Sequence, residues 1–245
     1  MSDAVLRTEA VDVRFGGLRA LANTSVDAQP STITGLIGPN GAGKTTLFNV
    51  ITGLQNPAAG RVLLEGRDVT RFGVHKRARM GVSRTFQKLE AFNSLSARDN
   101  VLVAAEMASN WHSHITDSAR FTDEILERVG LSDVAELTVG TLPTGTARLV
   151  ELARALAGHP KILLLDEASS GLTEDETTAV GDLLAQLVAE DGLAVLLVEH
   201  DMSFVMRFCS RIHVLDFGQI IAVGSPSEIQ HNEQVRTAYL GSGAA

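Results

Sequence analysis

Gly38-Pro39-Asn40-Gly41-Ala42-Gly43-Lys44-Thr45 is the stretch that decides the fold. It fits the pattern G-x-x-x-x-G-K-[ST]. An apolar run, Ile33 to Ile37, leads in, and a helix-compatible run, Thr45 to Ile51, leads out. Glycines let backbone N–H groups close around phosphate oxygens without a Cβ in the way. The first turn of the helix adds a partial positive charge. Lys44 can reach the β- and γ-phosphates of a nucleotide, and the Thr45 hydroxyl can ligate Mg²⁺. A ligand-free glycine turn gives no packing reason for Lys44-Thr45 to follow.

A second strand repeats the theme. Ile162-Leu163-Leu164-Leu165 is a short apolar run suited to a fully buried parallel strand, and it ends in Asp166-Glu167. Such an ending is common by itself. Behind a phosphate loop, Asp166 becomes the candidate for Mg²⁺ and Glu167 the candidate general base for an attacking water.

Around these anchors the chain reads as three zones. Val5–Val13, Thr32–Ile37 and Arg61–Leu64 read as strands, with turns at Gly16-Gly17 and Leu64–Arg67. A helical stretch follows. Ser96 with Asp99 reads as a capping box, then Val101, Ala104, Ala105 and Ala108 recur at helical spacing. Ile125, Leu126 and Val129 mark a second helix, and Leu149, Leu152, Ala153 and Leu156 a third, ending at Gly158-His159-Pro160. The last zone alternates. Thr173 with Glu176 caps a helix that buries Val180, Leu183, Leu184, Leu187 and Val188, and Ala194–Val198 is the next strand. Arg211–Leu215 and Gln219–Val223 read as a hairpin, and the tail from Pro226 as helical. The expected fold is an α/β P-loop core with an inserted helical subdomain. Residues 1–87 and 158–245 form the nucleotide-binding core with its β subdomain; residues 88–157 form the helical subdomain.

Composition bounds the function. The 245 residues are 44% hydrophobic and 20% charged, a globular balance with ample material for a core. A net charge of −8 argues against sequence-independent nucleic-acid binding and against a polybasic membrane anchor. The acidic chain therefore has to hold a polyanion through the loop itself, with hydrogen bonds worth about 1.5–3 kcal/mol each to charged groups. One cysteine, Cys209, rules out an internal disulfide and a cysteine-built zinc site; it reads as a small buried hydrophobe. Apolar runs fall short of the about 18 residues that span a bilayer, and the first ten residues lack an apolar signal core, so a cytoplasmic location is expected.

Together these stretches resemble the ATP-binding subunits of ABC transporters over about residues 5 to 241. The resemblance is nearest to the branched-chain (hydrophobic) amino acid importer type, and its phrases are Arg14-Phe15-Gly16-Gly17-Leu18, Gly81–Gln87, Val198-Glu199-His200-Asp201-Met202 and Thr237–Gly241. It implies an ATPase with ATP and Mg²⁺ as cofactors. Phe15 then stands where an aromatic residue stacks on adenine; Tyr is usual there, and Phe keeps the π-face. Asn40, Gly41, Gly43, Lys44, Thr45 and Thr46 bind nucleotide. Gln87 resembles the glutamine that senses Mg²⁺ and the attacking water, so Thr45, Gln87 and Asp166 form the metal set. Glu167, His200 and Gln87 form the catalytic set, with His200 at the γ-phosphate.

The departures fall on the family signature. Leu-Ser-Gly-Gly-Gln becomes Leu142-Pro143-Thr144-Gly145-Thr146, in which only Leu142 and Gly145 match. Pro143 lacks both the serine hydroxyl and an N–H. Ala168 replaces a proline, and Thr173 an Asp or Asn. Weak closure on ATP is expected from this half. The resemblance further implies a head-to-tail dimer with a second ATPase subunit, same or related, on transmembrane permease subunits. A solute-binding protein is an indirect partner, and the assembly sits on the cytoplasmic face of the cell membrane. The cargo is a branched-chain amino acid or another small polar solute. A rival reading is an ATP-switched binding subunit that leaves hydrolysis to a partner. A DNA-repair or translation ATPase needs tandem cassettes or large insertions, for which 245 residues leave no room.

Three weaker features complete the reading. His75-Lys76-Arg77-Ala78-Arg79 is expected as a solvated basic helix face. His112 and His114 beside Trp111 lack the further ligands a metal site needs. Leu89–Phe92 is a candidate for docking the membrane subunit.

Overall fold

The computed structural model describes residues 4–111 and 115–241; the His112 and His114 reading lies outside them. The strands are β1 (Leu6–Phe15), β2 (Leu18–Thr24), β3 (Asp27–Ala28), β4 (Ile33–Ile37), β5 (Ala59–Leu64), β6 (Arg67–Asp68), β7 (Val82–Arg84), β8 (Ile162–Asp166), β9 (Ala194–Val198), β10 (Arg211–Asp216) and β11 (Gln219–Gly224). The helices are α1 (Lys44–Thr52), α2 (Val74–Arg79), α3 (Ala97–Ser109), α4 (Ser118–Arg128), α5 (Thr144–Ala157), α6 (Glu174–Asp191), α7 (Met202–Phe208), α8 (Pro226–Gln230) and α9 (Glu233–Gly241).

Two sheets carry the architecture. One is antiparallel, in the order β2-β1-β5-β6, with β3 also paired to β1. The other runs β11-β10-β4-β9-β8-β7, parallel from β10 to β7 with β11 antiparallel at the edge. Every residue of β4, β8 and β9 is buried, which is why these strands read as unbroken apolar runs. One face of the parallel sheet packs on α1 and the antiparallel sheet. The other packs on α6, α7 and the C-terminal helices. A third apolar cluster, from Val101 and Ala105 through Ile125 and Leu126 to Val150 and Ala153, joins α3, α4 and α5.

The helix ends follow local chemistry. Thr173 and Glu176 form the full reciprocal box on α6, and so do Ser225 and Glu228 on α8, where Pro226 occupies the first turn. At α3 the Ser96 hydroxyl accepts the Asp99 N–H, which is half of the expected box; an aspartate is a methylene shorter than the glutamate the return bond uses. The tail from Pro226 is helical, in two pieces, α8 and α9. Leu183 is only partly buried, since it lies between the second and third clusters.

The basic stretch needs correction. Arg77 is fully buried on α2 and donates to the carbonyls of Val50 at 2.6 Å, Ile51 at 2.7 Å, Phe72 and Thr70. Val50 and Ile51 lie in the last turn of α1, whose carbonyls have no partner within the helix. A cation there also complements the helix dipole. The cluster is thus part solvated face and part cap for the phosphate-loop helix. Cys209 is buried as expected, and burial pushes its thiol up to about 12.

Candidate active site

The phosphate loop leaves β4 at Gly38 and enters α1 at Lys44. Gly38 and Gly43 are required there. A Cβ on Gly38, at φ +154°, would lie 1.9 Å from the Leu215 carbonyl oxygen, and one on Gly43, at φ +111°, 2.7 Å from that of Ala20. Asn40, Gly41 and Thr45 are exposed on the rim, and Thr46 is half-buried in the first turn of α1. Lys44 is buried and folds back over the loop, its Nζ donating to the carbonyls of Gly38 at 2.6 Å and Pro39 at 3.0 Å. Burial lowers its ammonium pKa, and the charges of Glu167 and Asp166 oppose that shift.

The β10–β11 turn, which in sequence shows only as a hairpin, fixes the loop's surroundings. The Gly218 N–H donates to the Ala42 carbonyl at 2.8 Å. Its own carbonyl accepts the Ala22 N–H at 2.8 Å and the Thr24 hydroxyl at 2.6 Å. The β10–β11 turn so fastens the antiparallel sheet beside the phosphate loop. Phe15, at the end of β1, is 50% exposed and has no place in the core. A cavity of about 900 Å³ opens beside the loop, with Asn40, Gly41, Phe217, Glu233 and Thr237 in its wall.

The acidic pair sits across the sheet. Asp166 ends β8 and is buried; its Oδ2 accepts from Arg84 at 2.8 Å. Arg84 lies on the adjacent strand β7 and also donates to Asn49 Oδ1 of α1 at 2.7 Å. Nothing in the sequence reading pointed to Arg84 as the partner of Asp166. Glu167 has φ +55°, a conformation few non-glycine residues adopt. Its Oε2 accepts from Gln87 Nε2 at 2.9 Å, and its Oε1 lies 3.0 Å from His200 Nε2. Glu199, the residue before His200, is buried; burial pushes its carboxyl up, and hydrogen bonds from Ser169 and His200 oppose that.

The structure therefore brings Lys44, Asp166, Glu167, Gln87 and His200 to one place. Leu142 and Gly145 are elsewhere. Leu142 is half-buried just before α5, and Gly145 packs within that helix against Glu176 of α6. Among the described residues, no group of three or more His, Cys, Asp or Glu stands ready for a metal ion. The donor set fits Mg²⁺ in another way: one carboxylate, one hydroxyl and one amide suit a hard cation that takes its remaining oxygens from phosphates and water.

A phosphate loop on α1 and a buried acidic strand end beside it define a P-loop nucleotide hydrolase. Comparison with known proteins narrows the class. Residues 21–170 match the ABC transporter family, and residues 219–245 the branched-chain amino acid ATP-binding cassette transporter family. The high-affinity branched-chain amino acid transport ATP-binding protein BraF of Pseudomonas aeruginosa is 37% identical over 98% of this chain and 99% of its own. LivG of Escherichia coli, of the same description, shows the same identity and coverage. A solved ATP-binding cassette of an ABC transporter in its ADP conformation superposes with a TM-score of 0.87 at 30% identity, over 97% of this chain and 99% of that one. A nucleotide-free cassette gives 0.86 at 29%, over 96% and 98%. The chain belongs to the ABC transporter family, as an ATP-binding and ATP-hydrolysing subunit.

Proposed function

We propose that this subunit hydrolyses Mg-ATP with Glu167 as the base, and that it drives uptake of branched-chain amino acids. The observation that carries the chemistry is Glu167, held between Gln87 at 2.9 Å and His200 at 3.0 Å beside the phosphate loop. Lys44 and the loop amides hold the phosphates, and Phe15 stacks on adenine. Thr45, Asp166 and Gln87 would hold Mg²⁺, which when bound neutralises charge on the β- and γ-phosphates. Glu167 takes the proton of the attacking water, and His200 orders the γ-phosphate through a hydrogen bond. The cargo reading rests on the names of the relatives BraF and LivG.

The partners follow from the same reading. Leu142 and Gly145 close on the nucleotide of a second ATPase subunit in a head-to-tail dimer. Residues 88–157 act as the unit that carries this signature. A groove of about 480 Å³ with Leu54, Val74, Phe86 and Met107 in its wall, all four exposed, is the site for a permease segment, with Leu89 and Phe92 exposed nearby. A solute-binding protein joins through the permease. Among the described residues no helix is long and apolar enough to cross a membrane. In this reading the subunit sits on the cytoplasmic face, held there by the permease.

The test is Glu167→Gln in the purified chain. Removing a general base costs about 100-fold or more in turnover, while ATP binding persists. Turnover at the wild-type level removes Glu167 from this role.

A further inference from the structure

Glu167 has two side-chain partners, Gln87 and His200, and each is in turn held by its backbone. Arg148 of α5 donates from Nη2 to the Gln87 carbonyl at 3.1 Å. Glu199 accepts the His200 N–H on Oε2 at 3.1 Å. The same two side chains also grip the loop that follows Glu167. Arg148 Nε donates to the Ser170 carbonyl at 3.1 Å, and Glu199 Oε1 accepts the Ser169 N–H at 2.7 Å. An arginine and a glutamate therefore each hold the backbone of Ser169-Ser170.

The chemistry suits the task. A planar guanidinium presents its donors in a fixed fork and can bridge two carbonyls. A buried carboxylate is costly unless its oxygens are satisfied, and here both accept backbone N–H groups. There is something to hold in place. The left-handed backbone at Glu167 persists only where its surroundings over-determine it. The Glu167 N–H donates to the Val198 carbonyl at 2.8 Å, and its carbonyl accepts the Ser170 N–H at 3.1 Å. Arg148 and Glu199 complete that constraint.

We propose that Arg148 and Glu199 are the positioning residues of this site. They bracket residues 167–170 and set Glu167 against Gln87 and His200. Because Arg148 stands on α5, six residues after Leu142, a shift of the signature end of that helix reaches Gln87 and Ser170 directly. The inference rests on Glu167 being the base.

The experiment uses the full chain as Arg148→Ala, Arg148→Lys, Glu199→Gln and the pair Arg148→Ala/Glu199→Gln, with kcat, KM for ATP, ATP affinity and Tm for each. Glu199→Gln keeps the shape but turns an amide donor toward a backbone N–H. The single Ala and Gln variants are expected to lose about tenfold or more in kcat with KM and affinity within about twofold, the pattern of a lost transition-state interaction. Arg148→Lys, which can reach one carbonyl at a time, falls between. The pair loses less than the product of the singles, since both free one loop. Wild-type kcat in Glu199→Gln or Arg148→Lys overturns the bracket, as does a kcat loss matched by lost ATP affinity. If Arg148→Ala does not fold, Arg148→Lys decides. Full turnover in Glu167→Gln sinks the reading of the base instead.

Discussion

Arg84 and Asp166 form an ion pair of 2.8 Å with side chains only 7% and 6% exposed. The pair spans neighbouring strands β7 and β8 and occupies Asp166 Oδ2, so that the proposed Mg²⁺ would fall to Oδ1. The Arg84 guanidinium also lies 5.3 Å from the Phe48 ring centroid and 4.9 Å from that of Phe86. Removing one partner of a buried pair leaves an uncompensated charge and costs about 3–5 kcal/mol. Arg84→Ala should therefore lower Tm by on the order of 10 °C, at about 2–4 °C per kcal/mol for a chain of this size. It should also raise the Mg²⁺ concentration needed for ATP binding, as Asp166 loses its fixed orientation. A thermal melt and a Mg²⁺ titration of nucleotide binding check both; an unchanged Mg²⁺ requirement would confine Arg84 to the fold.

Gly38 and Gly41 share a loop but differ in tolerance. A Cβ at Gly38 meets the Leu215 carbonyl at 1.9 Å, whereas at Gly41 nothing stands within 4 Å and only the φ of +80° objects. Gly38→Ala should abolish ATP binding and lower Tm. Gly41→Ala should fold with a loss of about 1–2 kcal/mol, the cost of a side chain at positive φ. Melting curves with ATP-binding isotherms separate the two, and equal behaviour would show that packing against β10 does not set the loop.

The parts of the site that announce themselves in sequence are contiguous. Gly38–Thr45 and Ile162–Glu167 each carry strand, turn and chemistry in one run, so strand burial and ligand type read together. The residues missed act at a distance. Arg84 meets Asp166 across 82 positions, and Arg148 meets Gln87 across 61. Nothing in the immediate neighbourhood of either arginine distinguishes it from a surface charge. Arg77 shows the cost of that: its neighbours His75, Lys76 and Arg79 suggest a solvated face, while the carbonyls that claim it belong to α1. The hairpin at Gly218 was legible as a turn, but its bonds to Ala42 and Ala22 depend on how two sheets meet.

The altered signature gives a prediction in two parts. Pro143 is the N-cap of α5 and supplies no side-chain bond to the helix. Pro143→Ser should stabilise the chain by about 1 kcal/mol through a restored cap, and Pro143→Ser/Thr146→Gln should raise ATP turnover. Gly145 is left in place, because a Cβ there would lie 2.6 Å from Glu176 Oε1 and would push on the side chain that closes the box with Thr173. A thermal melt of Pro143→Ser checks the cap, and steady-state turnover of the double variant checks the signature; no increase in turnover would mean that the present signature already closes on nucleotide.

His213 makes stability depend on pH. It lies buried on β10, with Nε2 3.2 Å from the Asp27 carbonyl. Burial lowers its pKa; the Asp27 carboxylate opposes that, and Arg211 reinforces it. The fold thus holds a neutral imidazole, while the unfolded chain protonates near pH 6.5. A pKa lower in the folded than in the unfolded state gives stability that is full above pH 6.5 and shrinks as the pH falls toward the folded value. Urea unfolding at pH 7.5, 6.5 and 5.5 should show the wild type losing stability over that range. His213→Gln, which cannot be protonated, should flatten this part of the profile. Parallel profiles for the two chains would assign the acid sensitivity to other groups.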